Sequence, residues 1–124
     1  MGRPRVGETA EVAVTVTREM TARLFDREIH PVYGTQWMVR HVEESGRLVL
    51  ERHLADGEDA TGYAIELTHE RPAWVGTHIV VRARVLHVDG RECVTEHEVR
   101  AGDRVVGRAR FVQRYVPTGS LEGT

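Results

Sequence analysis

A chain of 124 residues, 40% hydrophobic and 29% charged, is long enough for one packed domain and too short for two ordinary ones. With 6% aromatic residues, its core must be built mainly from Val, Leu, Ile and Ala. A formal charge of -2, with 17 basic residues that are all arginine, argues against a nucleic-acid surface or an anionic membrane as partner.

In chain order, Met1 to Val6 is basic but has no apolar stretch behind it, so it is not a signal peptide. Val6 also stands where a myristoylation signal needs Ser or Thr. No apolar run approaches the roughly 20 residues of a membrane span, and the expected setting is the cytoplasm. Residues 8–17 alternate Ala10, Val12, Val14 and Val16 against polar positions, which predicts a half-buried strand. Residues 18–25 suit one or two helical turns. Residues 26–34, with Pro31 and Gly34, read as a loop or lid.

From Gln36 to about Ala55 the spacing predicts a long helix with Met38, Val42, Ser45/Gly46, Val49 and His53 on one face. Thr35 is its expected N-cap and Asp56-Gly57 its stop. Ser45-Gly46 in mid-helix costs roughly 1 kcal/mol at the glycine, so something should need the space. Four strands are then expected, at 61–70, 76–88, 91–100 and 104–116, before a flexible tail at 117–124. One helix and about five antiparallel strands bury each other only if the sheet wraps the helix. That is the outline of an α+β hotdog fold, filling residues 1–124 as a single domain, while periodicity alone leaves other α+β sheets open.

Hairpin geometry refines the last strands. Three-residue loops at Val88-Asp89-Gly90 and Ala101-Gly102-Asp103 would pair Val85 with Cys93 and align Arg82, Glu96 and Arg108 on the solvent face. The arginines of these strands then read as a charge-paired surface, although one or two at strand ends could meet a phosphate.

Cys93 is alone, which excludes an intrachain disulfide and fits a reducing compartment. Seven histidines show no metal-ligand spacing, and no nucleophile elbow or phosphate loop is present, so no metal or separate cofactor is expected. His41, His53, His78 and His97 read as structural. His69 closes the strand Tyr63-Ala64-Ile65-Glu66-Leu67-Thr68-His69, and strand ends feed sites.

The segments Val32-Tyr33-Gly34-Thr35-Gln36-Trp37-Met38-Val39, Glu43 and Gly62-Tyr63-Ala64-Ile65-Glu66-Leu67-Thr68-His69 resemble the fluoroacetyl-CoA thioesterase family of hotdog enzymes. Val6-Gly7-Glu8, Pro72, Gly76 and Val88-Asp89-Gly90-Arg91 extend the resemblance over roughly residues 6–115. It implies hydrolysis of a small acyl-CoA, or acyl-carrier-protein, thioester by Thr35, Glu43 and His69. Coenzyme A would enter only as part of the substrate. The resemblance also implies substrate contacts at Gly62, Tyr33 and Gly34, with Gly62 beside the thioester carbonyl. Around Ile29 and His30 the family's lid aromatic has no counterpart, and Glu44-Ser45-Gly46 replaces a bulkier apolar stretch. The resemblance therefore carries thioesterase chemistry rather than fluoroacetate selectivity.

Those residue types suit the reaction. A thioester needs a nucleophile or activated water, a proton carrier and donors to the oxyanion. Glu43 could attack or deprotonate water, His69 could shuttle the proton, and Thr35 could orient them. The competing assignments are N-cap, solvated helix residue and strand-end histidine. Eight helical residues span roughly 12 Å, so Thr35 and Glu43 cannot touch if both are helical. Either Thr35 folds back or a second subunit completes the site. A homodimer through strand 61–70, with Ile65 near the two-fold, is expected. A non-catalytic module that binds an acyl thioester or small hydrophobic ligand is the main alternative, and a structural dimerisation domain is a third.

Overall fold

The computed structural model describes residues 2–122. Seven strands and one long helix follow in the order β1 (Thr9–Thr15), β2 (Thr21–Leu24), β3 (Arg27–Tyr33), α1 (Thr35–Glu51), β4 (Glu58–His69), β5 (His78–Val88), β6 (Glu92–Ala101) and β7 (Arg104–Pro117). Five of them form one antiparallel sheet in the order β1-β5-β6-β7-β4, and β2 with β3 forms a separate hairpin. The expected helix and five-strand sheet are therefore present. No helix among the described residues is long and apolar enough to cross a membrane.

Helical periodicity puts Met38, Val42, Ser45, Gly46, Val49 and Leu50 on the buried face of α1. They meet the inward positions of the sheet, among them Ile79, Val81, Val85, Val99, Val106 and Phe111. β5 alternates strictly between buried and exposed from His78 to Val85, so its arginines stay in water while its Val and Ala positions form the core.

Four local expectations are corrected. Residues 18–25 hold only a short 3-10 turn (Arg18–Met20) before the chain enters β2, and the supposed lid at 26–34 is β3. Phe25 and Asp26, at φ 55° and 60°, make the two-residue turn between them. Two consecutive left-handed residues are what a tight hairpin of type I′ demands, and the Asn or Gly that usually signals one is missing. Gly34, not Thr35, caps α1, and the helix ends at Glu51 rather than near Ala55. The tail is ordered at least through a 3-10 turn at Thr118–Leu121, where the Thr118 N–H donates to the Gly57 carbonyl. Residues 123 and 124 lie outside the described residues.

The fourth correction is the register. Val88 faces Cys93 across a four-residue loop, because the Asp89 carboxylate accepts the N–H groups of Arg91 and Glu92 and closes the wider turn. Bulges in β5 and near the β6–β7 turn then leave both pairings two residues from the expected ones. A shift of two keeps every side chain on its face. Glu96 is solvent-exposed as expected, but its row is Arg84, Glu96 and Arg110, while Arg82, Glu98 and Arg108 form the next. The Arg84–Glu96 pair closes at 3.0 Å with both side chains about half exposed. Such a pair stabilises by at most about 1 kcal/mol.

Candidate active site

β4 is an outer strand, so its free edge runs past the helix with Gly62 near its middle and His69 at its end. The first half of the candidate site lies at the His69 end. Thr35 begins α1 directly after β3, and its hydroxyl meets the Nδ1 of His69 at 2.8 Å. That contact explains why Thr35 does not serve as the cap. The His69 Nε2 is buried and has no hydrogen-bond partner among the described residues. Burial holds the imidazole below its ordinary proton affinity, so it is neutral at pH 7. The two side chains border a cavity of about 300 Å³ that His30, Val32 and Pro72 also line.

Tyr33 supports this half from behind. Its ring packs edge-on to His69 with centroids 6.1 Å apart, and its hydroxyl lies 2.5 Å from the His41 Nδ1. Both Tyr33 and His41 are buried. Burial lowers the proton affinity of His41 and raises that of the phenol, so both stay neutral and the phenol donates to the imidazole. Gly34 is also buried, where a Cβ would lie 3.0 Å from the Thr21 carbonyl and 3.1 Å from the Ala22 Cα. Its lack of a side chain lets the β2 backbone pass.

The second half lies around Gly62. Glu43 is exposed on α1, and one of its carboxylate oxygens lies 3.5 Å from where a Gly62 Cβ would stand. The neighbouring arginines are committed elsewhere, Arg40 to Glu44 at 3.3 Å and Arg47 to Asp59 at 2.7 Å. Among the described residues Glu43 makes no ion pair. The β4–β7 ladder also skips Tyr63 between Gly62 and Ala64, a bulge that leaves backbone beside the carboxylate out of the regular pairing. Glu43 and Gly62 share a cavity of about 230 Å³ with Val39, Ile65 and Phe111.

One chain thus joins Thr35 to His69 and Glu43 to Gly62, but not the two pairs to each other. Six residues of strand lie between Gly62 and His69, a rise of roughly 23 Å. Thr35 does not fold back toward Glu43, since both are in the helix.

Sequence reasoning missed the wall behind Glu43. Phe111 fills the space that Ser45-Gly46 leaves, and a Cβ on Gly46 would lie 2.8 Å from its ring. Behind it, Ser45 Oγ meets the His97 Nδ1 at 2.8 Å, and Thr95 Oγ meets the Nε2 at 2.7 Å. The inward alternation of Cys93, Thr95, His97 and Val99 along β6 is the signal that would have placed His97 in the core. Among the described residues no cluster of His, Cys, Asp and Glu could hold a metal ion.

Comparison with known proteins gives this geometry a relationship. Residues 16–118 match the family model described as fluoroacetyl-CoA-specific thioesterase. No curated protein matches the chain. Among solved structures, a hypothetical protein of Thermus thermophilus, described as a thioesterase superfamily member, is 31% identical. It superposes with a TM-score of 0.93, covering 98% of this chain and 90% of its own. The fluoroacetyl-CoA thioesterase FlK is 24% identical, with a TM-score of 0.85 over 94% of this chain and 90% of its own. A hot-dog-like protein from Thermanaerovibrio acidaminovorans, 17% identical, shares the fold with a TM-score of 0.84 over 95% of this chain and 87% of its own. With its family match running from the end of β1 to the end of β7, the chain belongs to the fluoroacetyl-CoA-specific thioesterase family, thioester hydrolases built on the hotdog fold.

Proposed function

We propose that the protein hydrolyses small acyl-CoA thioesters with Thr35, Glu43 and His69, at a site shared between two copies of the chain. The observation that carries this reading is the placement of the two half-sites seven positions apart along one free strand edge. If β4 pairs antiparallel with its copy about a two-fold at or beside Ile65, Gly62 comes within one residue of facing the partner's His69. Each dimer then holds two whole sites. Tyr63 and Ile65, 63% and 37% exposed on this strand, would be covered by the same contact.

In that arrangement the thioester carbonyl lies beside Gly62, where no side chain blocks approach to a backbone N–H. Glu43 either attacks the carbonyl carbon or takes a proton from the water that does. Thr35 holds the imidazole Nδ1, which leaves Nε2 to face the reaction and relay to the departing thiolate the proton that the attacking water gives up. An acyl-carrier-protein thioester presents the same reacting atoms. The complexes of a related FlK variant with fluoroacetate and CoA, and of another with acetyl-CoA, favour a CoA substrate. Coenzyme A is then part of the substrate, and the hydrolysis uses side chains and water.

The test is thiol release from a panel of short acyl-CoA esters, with light scattering at micromolar concentration. Turnover by a dimer is expected. A monomer under assay conditions would refute the shared site, and a dimer that binds acyl-CoA without turnover would make the protein a binding module.

A further inference from the structure

The geometry points to Phe111 as the residue that sets acyl length, by closing the pocket beside Glu43 so that only a short acyl group fits. This rests on the reading of Glu43 and Gly62 as the reacting end of the site. Phe111 is 4% exposed, and its ring is gripped from two sides by residues without side chains. On one edge a Cβ at Gly46 would lie 2.8 Å from Cδ2. On the other, a Cβ at Gly62 would lie 3.3 Å from Cε1 and Cζ. The helix and the edge strand therefore approach each other through this one ring, which cannot move toward either backbone without a clash.

The ring also separates two different surroundings. On the open side is the cavity of about 230 Å³ that holds the Glu43 carboxylate, smaller than the roughly 300–1,000 Å³ of sites that take drug-sized ligands. On the closed side is the His97 imidazole, edge-on at 6.3 Å, with its bonds to Ser45 and Thr95 satisfied. Gln113 closes the same side by donating from Nε2 to the Gly46 carbonyl at 3.0 Å. A longer acyl chain entering beside Glu43 would have to displace Phe111 into this fully paired polar layer.

The experiment compares acetyl-CoA with hexanoyl-CoA in the wild-type protein, Phe111→Ala and Phe111→Leu, each checked for a folded melting transition. Leucine guards against the alanine variant failing to fold. Wild type is expected to favour acetyl-CoA by ~10-fold or more in kcat/KM, and the variants to shift that ratio toward hexanoyl-CoA by ~10-fold or more. A second arm measures binding of the matching non-hydrolysable ketone analogues, in which a methylene separates sulfur from carbonyl. If no protein turns over either ester but the binding preference shifts with Phe111, the catalytic reading fails and the length-setting role stands. A length preference unchanged in a folded Phe111 variant, in whichever arm gives a signal, or no binding and no turnover at all, overturns it.

Discussion

Glu43→Gln is expected to leave the protein folded and able to bind acyl-CoA while turnover falls by ~10²–10⁴-fold. The substitution keeps the size and shape of the side chain and removes only the charge. Glu43 is exposed and unpaired among the described residues, with the neighbouring arginines bonded elsewhere, so losing the charge costs the fold little. The same assay should show comparable damage from His69→Ala. Thr35→Ser should keep far more activity than Thr35→Ala, because serine retains the hydroxyl that meets Nδ1. The control is His53→Ala, whose ring is bonded to Glu8 away from both half-sites and should hardly affect turnover. Wild-type turnover by folded Glu43→Gln protein would remove Glu43 from the mechanism.

The protein should also lose stability in mild acid through His97. Burial pushes this imidazole down to about 4, while in the unfolded chain it titrates near 6.5. Its two nitrogens are bonded to hydroxyls, and no carboxylate is bonded to the ring to offset a positive charge. The unfolded state therefore binds the proton first, and stability falls as pH drops through 6.5 toward 4. The loss is about 2 kcal/mol by pH 5 and approaches about 3 kcal/mol near pH 4. Urea unfolding at pH 7.5 and pH 5 measures it. His97→Gln, which can still bond to a hydroxyl but does not titrate, should flatten the difference. An equal loss in wild type and variant would assign the acid sensitivity to other groups.

The fold was legible where periodicity is unambiguous, as in the alternation of β5 and the apolar stripe of α1. Registers were not, because they depend on turn chemistry. Asp89 closes a loop one residue longer than its glycine suggests, and bulges take up the difference. The β2–β3 hairpin was hidden because Phe25 and Asp26 adopt a backbone conformation that their side chains disfavour. The spacing of Thr35, Glu43 and His69 marked the site residues, but spacing along a chain says nothing about which residues meet in space. Thr35 looked like a cap because its place at the helix start is the same whether its hydroxyl serves the helix or His69. Ser45-Gly46 announced a close neighbour without naming it, since the aromatic that fills the gap lies some 65 positions later in the sequence.

The strand order also fixes when the site can come into being. In the sheet β4 is bonded only to β7, which follows the other four strands of the sheet along the chain and so emerges after them. Until residues 104–117 have emerged, the strand carrying Gly62 and His69 has no hydrogen-bonding neighbour on either side. β5 and β6, joined by a short turn, can pair well before that. A message truncated after β6 would therefore yield a chain with its helix and central hairpin but no sheet edge on which to assemble the chemistry. Synthesis must have passed β7 before the site can form.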